Sequence, residues 1–164
     1  MSMSQEIIII SAISKNNVIG IKNKIPWYIK KDFEHFKELT LDNPIIMGRK
    51  TWESLPIKPL PKRRNIVLTR DVNLDLPGVE VCDSFESALK LCEGEKKVFI
   101  IGGSNIYSQG LKYANVLELT RIDKEYEGDS FFPEINLEEW KIVSKKELID
   151  EKEGKYFFER YEKV

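Results

Sequence analysis

Pro44-Ile45-Ile46-Met47-Gly48-Arg49-Lys50-Thr51 is the stretch whose reading decides the fold. Its apolar run has no polar residue to turn toward water, which fits a strand buried on both faces, as in a parallel sheet covered by helices. Gly48 ends the run, and a short helix is expected over Thr51–Leu55. The same grammar recurs in Val98-Phe99-Ile100-Ile101-Gly102-Gly103-Ser104-Asn105, with a helix expected over Ser104–Tyr113. Working outward, Ile7–Ile13, Asn65–Thr69 and Val116–Thr120 are further Ile- and Val-rich strand candidates. Lys31–Thr40 places Phe33, Phe36 and Leu39 at helical spacing, and Asp83 or Ser84 can cap a helix through Ala88-Leu89-Lys90-Leu91. Alternating strand and helix predicts an α/β domain. The C-terminal third differs: Trp140–Ile149 and Lys155–Tyr161 flank a turn at Asp150–Gly154, which predicts an antiparallel hairpin at the edge of a mixed sheet. No repeat, low-complexity run or linker divides the 164 residues, so one domain over residues 1–164 is expected.

Composition excludes several classes. Lys plus Arg total 26 and Asp plus Glu 27, a net charge of −1, so the basic excess of a nucleic-acid binder is missing. Hydrophobic residues at 41% argue against wholesale disorder. The run Ile7–Ile13 is too short to span a bilayer, and it follows Glu6 rather than a basic segment, so neither a membrane span nor a signal peptide is expected. Cys82 and Cys92 make no disulfide framework, and with His35 they lack metal-ligand spacing; all three read as structural, and a cytoplasmic location without a metal site is expected.

Three features can carry chemistry. Each strand-to-helix junction ends on glycine, where a ligand can approach the backbone and the N–H groups of a helix start favour an anion. Arg49, Lys50 and Thr51 add cations and a hydroxyl to the first junction. Two such junctions on neighbouring strands suit a ligand with separated phosphates; alternatively, the glycines simply end strands. Gly102-Gly103-Ser104 is not G-x-G-x-x-G, and Gly48-Arg49-Lys50-Thr51 lacks the Gly-Lys pair of a Walker A loop, which disfavours a Rossmann dehydrogenase and a P-loop kinase. The second feature is Pro26-Trp27-Tyr28-Ile29-Lys30-Lys31-Asp32, with Phe33 and Phe36 following. Asp32 and Phe36 share a helix face. A carboxylate beside aromatic rings can accept two parallel hydrogen bonds from an amidine-like ring edge, or it can merely sit at a helix start above core residues. The third is Lys62-Arg63-Arg64, a solvated loop or a fork for a ligand carboxylate.

Together these segments resemble dihydrofolate reductase. The resemblance rests on Val18-Ile19-Gly20, Ile25-Pro26-Trp27, Asp32-Phe33 with Phe36-Lys37, Pro44 through Ser54, Pro59-Leu60-Pro61 with Arg63, Arg64 and Asn65, Ile100-Ile101-Gly102-Gly103 with Ile106-Tyr107, Leu119-Thr120 with Ile122, and Gly128-Asp129 with Phe132-Pro133, in the family's order. An aspartate at position 32 is similar to the bacterial branch. The resemblance implies one domain with an eight-stranded, mostly parallel mixed sheet flanked by four helices, and hydride transfer from NADPH to 7,8-dihydrofolate. It also implies antifolate inhibitors as ligands and a monomer, with no nucleic-acid or membrane partner. Residues 1–5 fall outside it and are expected to be a flexible extension.

By the same resemblance, Asp32 would bind the pterin and favour its protonation. Thr120 would hydrogen-bond Asp32, and Trp27 would support it through water. Phe33, Phe36 and Leu55 would wall the rings, Arg63 would take the glutamate tail, and the backbone at Ile10 and Ile101 would face the pterin edge, with Ser11 beside it. For the cofactor, Ala12, Ile19 and Gly20 would meet the nicotinamide. Gly48, Arg49, Lys50 and Thr51 would bind phosphates, together with Gly102, Gly103, Ser104, Asn105, Ile106 and Tyr107 under the pyrophosphate; the Gly102–Gly103 peptide is cis in the family. Leu68, Thr69 and Arg70 would join Arg49 in favouring the 2′-phosphate of NADPH. Residues 16–25 correspond to a mobile loop that pairs with Gly128-Asp129.

The chain departs from the family's pattern at Lys30, Ser11, Asn105 and a one-residue lengthening at Pro56-Ile57-Lys58; Ser11, Phe33 and Leu55 are the positions expected to alter inhibitor response. A pyrimidine reductase on the same fold would not keep Trp27, Asp32 and Arg63 together, and a non-catalytic folate- or nucleotide-binding module would not need Asp32 and Trp27 intact.

Overall fold

The computed structural model describes residues 5–71 and 73–164. In chain order the elements are β1 (Glu6–Ser14), β2 (Val18–Gly20), α1 (Lys30–Thr40), β3 (Pro44–Gly48), α2 (Arg49–Ser54), β4 (Arg64–Leu68), β5 (Val79–Cys82), α3 (Phe85–Leu91), β6 (Lys97–Ile100), α4 (Ser104–Gly110), β7 (Val116–Ile122), β8 (Ser130–Phe131), β9 (Trp140–Asp150) and β10 (Gly154–Lys163). Eight strands form one sheet in the order β5-β4-β3-β6-β1-β7-β10-β9, and β2 pairs with β8 separately. The pairs from β5 to β7 are parallel, and β10 runs antiparallel to both β7 and β9. The expected mixed sheet with its C-terminal hairpin and four helices is therefore the observed architecture.

Alternation along each strand divides the core into two sides. On one side Ile9, Ile46, Ile66, Ile100 and Leu117 meet Phe85, Ala88 and Ile106 of α3 and α4. On the other, Ile8, Ile10, Ile45, Met47 and Phe99 meet Phe36 and Leu39 of α1 and Trp52 of α2. Each fully buried Ile contributes about 1.5–3 kcal/mol through removal from water. Because β3, β4 and β6 are covered twice, the runs Ile45–Met47, Ile66–Leu68 and Val98–Ile100 within them are apolar. The edge strand β9 carries Lys141, Lys145 and Lys146 on exposed positions, which discourages another chain from adding to it.

Three differences from the expectations matter. Helix α2 begins at Arg49, two residues earlier than expected, so Arg49 and Lys50 lie in its first turn. Helix α4 ends at Gly110, because residues 111–113 form turns instead. Strand β5 is not among the expected strands, and the expected pairing of residues 16–25 with Gly128-Asp129 takes the form of the short β2–β8 ladder. Of the extension expected over residues 1–5, only Gln5 is among the described residues. Its side-chain amide donates to the carbonyls of Cys92 (2.8 Å) and Glu95 (2.9 Å).

Candidate active site

The chain crosses from one side of the sheet to the other around β6 and β1, and the expected site residues gather at the carboxyl ends of these strands and their neighbours. Asp32 lies in the first turn of α1, whose N-cap Ile29 supplies no side-chain cap, so the carboxylate is the acid nearest the helix's positive end. Thr120 of β7, 4% exposed, donates to Asp32 Oδ1 at 2.6 Å. Burial pushes the Asp32 carboxyl up from 3.8 to about 6, and the Thr120 hydrogen bond opposes part of that rise. The acid thus changes protonation state near pH 6, closer to neutrality than an ordinary carboxyl.

Around it, Phe36 and Leu55 pack with Ile10 and Ile101 in one apolar cluster. Phe33 is 44% exposed and stacks on Tyr28, with ring centroids 5.4 Å apart. Trp27 is buried in an adjoining cluster with Val18, Ile29, Ile122 and Tyr156. Ile122 follows Thr120 by two positions on β7, so Trp27 and Asp32 lie on the same side of the sheet. Arg63 is held at the far end of α1: its Nη1 donates to Thr40 Oγ1 (3.1 Å) and its Nε to the Pro61 carbonyl (3.0 Å).

Ser11 is placed differently from its neighbours. Strand alternation turns its side chain away from Ile10 and Ala12, and its hydroxyl lies by that of Tyr107 on the α4 side. Any part Ser11 takes at the Asp32 pocket therefore passes through its backbone. Tyr107, 4% exposed, donates to the Ile10 carbonyl at 2.8 Å.

The two glycine-ended junctions are joined directly. β3 pairs with β6, and the Gly48 N–H donates to the Gly102 carbonyl at 2.9 Å. The Gly102–Gly103 peptide is cis, and Gly102 has φ +118, the region that favours glycine. A Cβ at Gly102 would also come within 3.2 Å of the Tyr107 ring, and one at Gly103 would meet Thr51 Oγ1 at 3.6 Å. Thr51 from one junction thus faces Gly103 from the other, with Ile106 packed against Gly48 between them. Arg49 and Lys50 are exposed; Arg49 Nε pairs with Glu53 at 2.8 Å. Leu68 stands opposite Gly48 in the β3–β4 register, which brings Thr69 and the exposed Arg70 beside this corner. Asn105 is exposed, and its Oδ1 accepts from Gln109 at 3.1 Å.

Residues 16–25 lie across this region. Ile19 and Gly20 belong to β2, which pairs with β8. The Asp129 N–H donates to the Gly20 carbonyl (3.0 Å), and Asp129 Oδ2 accepts from the Lys22 N–H (2.9 Å). Asn23 Nδ2 donates to the Lys50 carbonyl at 3.2 Å, and Ser104 Oγ to the Phe131 carbonyl at 2.7 Å. The loop and its partner segment are therefore tied to both junctions. A Cβ at Gly128 would lie 2.2 Å from Val18 Cγ1 and 2.8 Å from the Gly20 carbonyl, so only glycine fits there.

The Asn23 and Ser104 bonds escaped the sequence reading, as did Tyr28 against Phe33 and Tyr126 against Trp27, whose rings are 4.9 Å apart. Each links residues with no shared periodicity. A groove of about 420 Å³ lies elsewhere, between α1 and the β9–β10 hairpin. Its groups are turned on one another: His35 stacks on Phe158, and Arg160 donates to Glu6 and Glu118. The chemistry gathers around Asp32 instead. Among the described residues, no group of three or more His, Cys, Asp or Glu side chains is placed to hold a metal, and no helix is long and apolar enough to cross a membrane.

Comparison with known proteins agrees with this geometry. The family model described as dihydrofolate reductase matches residues 6–163. The chain is 45% identical to the dihydrofolate reductase of Neisseria meningitidis serogroup B, over 95% of this chain and 97% of that one. It is likewise 45% identical to that of Staphylococcus haemolyticus, over 97% and 96%. A solved dihydrofolate reductase from Enterococcus faecalis, complexed with NADP(H) and RAB-propyl, superposes with a TM-score of 0.89 at 33% identity over 96% of each chain. With its sheet order, its paired glycine junctions and its half-buried acid on α1, the chain belongs to the dihydrofolate reductase family.

Proposed function

We propose that the Asp32 pocket binds 7,8-dihydrofolate and that the paired junctions bind NADPH, so that the protein carries out the family's reduction to tetrahydrofolate. The observation that carries this reading is Asp32 itself: a half-buried carboxyl near pKa 6 at the start of α1, bonded to Thr120 at 2.6 Å. Such a group accepts hydrogen bonds from an amino group and adjacent ring nitrogen, fixes the ring, and stabilises positive charge on it. It thereby favours protonation of the pterin without having to be the direct donor. Phe33, Phe36 and Leu55 form the wall against which the rings pack, and Arg63, two of whose nitrogens are already engaged, offers Nη2 to a tail carboxylate.

The residues present fit the cofactor. A backbone stripped of Cβ atoms at Gly48, Gly102 and Gly103 admits close approach, while Arg49, Lys50, Thr51 and Arg70 bring cations and a hydroxyl to phosphates. NADPH supplies the hydride when bound; the protein orients, excludes water and tunes charge. Arg49 with Thr69-Arg70 reads the 2′-phosphate, and residues 16–25 cover the reacting rings. Antifolates enter the same pocket as the substrate, and the chain acts as a cytoplasmic monomer without nucleic acid.

The test is spectrophotometric. Purified protein should oxidise NADPH only when dihydrofolate is present. Asp32→Asn should lower the hydride-transfer rate by about 100-fold or more while NADPH binding survives. Asp32 changes protonation state near pH 6, so the wild-type single-turnover rate should depend on pH there, and that part of the dependence should vanish in Asp32→Asn. Near-normal turnover by Asp32→Asn would remove Asp32 from this role.

A further inference from the structure

Glu153 has no part in the chemistry above, yet it is 6% exposed. It occupies the turn between β9 and β10, where its N–H donates to Asp150 Oδ2 at 2.8 Å. A carboxylate withdrawn from water needs specific partners. Glu153 Oε1 has two: the Tyr126 hydroxyl, which donates at 2.5 Å, and Lys124 Nζ at 3.8 Å. Burial and the neighbouring Glu153 push the Tyr126 hydroxyl above its usual range, which keeps it a donor across the working pH.

Tyr126 makes further contacts, among them Lys124 Nζ over its ring at 5.1 Å. Its ring meets the Trp27 indole, with centroids 4.9 Å apart and planes tilted by 55°. Its main chain is gripped by the Asn16 side-chain amide: Asn16 Nδ2 donates to the Tyr126 carbonyl at 2.9 Å, and the Tyr126 N–H donates to Asn16 Oδ1 at 3.2 Å. Asn16 Oδ1 also accepts from the Ser14 hydroxyl (2.6 Å), whose oxygen accepts from the Val18 N–H (2.9 Å). One residue thus touches Trp27 on one side and the base of the 16–25 loop on the other, and a buried carboxylate holds it from behind.

We infer that Tyr126, latched by Glu153, is a positioning residue for the reaction: it sets the plane of the Trp27 indole and the base of the covering loop together. The inference rests on the proposed function. Trp27 stands five residues before Asp32 and next to Pro26 at the end of the loop, so tilting the indole displaces both the support of the acid and the cover over it. Losing the latch should slow the chemical step more than it weakens ligand binding, because small misplacements of reacting groups are costly in rate.

Single-turnover hydride transfer from NADPH, and from NADPH deuterated at the transferred position, tests this in wild type, Tyr126→Phe, Glu153→Leu, Glu153→Gln and the Tyr126→Phe/Glu153→Leu double variant. Tyr126→Phe and Glu153→Leu should each lower the rate roughly three- to tenfold with NADPH affinity unchanged within about twofold. Glu153→Gln keeps an acceptor for the hydroxyl and should retain the rate. The double variant should be no slower than either single one, since both break one link. Wild-type rates in Tyr126→Phe and Glu153→Leu, whatever happens to Tm, would overturn the inference, as would losses that add in the double variant. Should Glu153→Leu fail to fold, Tyr126→Phe still decides, because it removes a single oxygen. A wild type with no dihydrofolate-dependent oxidation overturns the proposed function and this inference with it; an active wild type with unaffected variants overturns the inference alone.

Discussion

Asp32 is stored at a cost. Its carboxyl has a folded-state pKa of about 6 against an unfolded value of 3.8. Between those values the native state holds the extra proton, so stability declines as pH rises through that window and stays lower above it. Asp32→Asn removes the ionisation and keeps an acceptor for Thr120. The variant should therefore be more stable than wild type at pH 7 by about 1–2 kcal/mol, a figure reduced for the solvent that reaches the pocket. At pH 3, below both values, the two proteins should unfold at nearly the same denaturant concentration. Equal stability at both pH values would show that burial does not raise the Asp32 pKa. A raised carboxyl pKa that lowers stability near neutral pH is what the proposed pterin-binding role of Asp32 requires.

At the scale of elements, the covering loop depends on a glycine outside it. Gly128→Ala would place a methyl 2.2 Å from Val18 Cγ1, so the β2–β8 pair must part to accept it. The expected result is a hydride-transfer rate lowered roughly tenfold or more with little change in global stability, because the pair lies outside the main sheet. Stopped-flow rates alongside denaturant unfolding check this; an unchanged rate would remove β2–β8 pairing from the catalytic cycle. The same pair shows what the sequence could not reveal. Ile45–Met47 and Val98–Ile100 announced themselves because burial on both faces leaves an unbroken apolar run. β2 and β8 span three and two residues, too few to show a period even though Val18 is buried. β5 is half-buried at the sheet edge, and Val79-Glu80-Val81-Cys82 was too short to register. In the site, Asp32 and Thr120 were legible through motif order, whereas Tyr126 and Glu153 are joined only by folding, 27 positions apart.

Across the whole molecule, 26 basic and 27 acidic residues nearly cancel, so overall charge cannot draw in an anionic cofactor. The attraction must be local, and Arg49 illustrates it. Its pair with Glu53 is exposed on both sides, a kind of contact worth at most about 1 kcal/mol, so the guanidinium is readily yielded to a phosphate. NADPH affinity should weaken as ionic strength rises, despite the protein's own net charge of −1. Arg49→Ala should flatten that dependence and cost NADPH about tenfold more than NADH, near 1.4 kcal/mol; titrations with both nucleotides at two salt concentrations check it. The sheet order has a last consequence, which concerns time. β1 is made first but lies between β6 and β7, and β10 is made last but lies between β7 and β9. During synthesis the first strand must wait without either neighbour until Lys97 and then Val116 have emerged. β7 keeps a bare edge until Gly154–Lys163 arrives to fill it. The polypeptide therefore cannot close its main sheet from one end, and the final ten-residue strand is the piece that joins the hairpin to everything made before it.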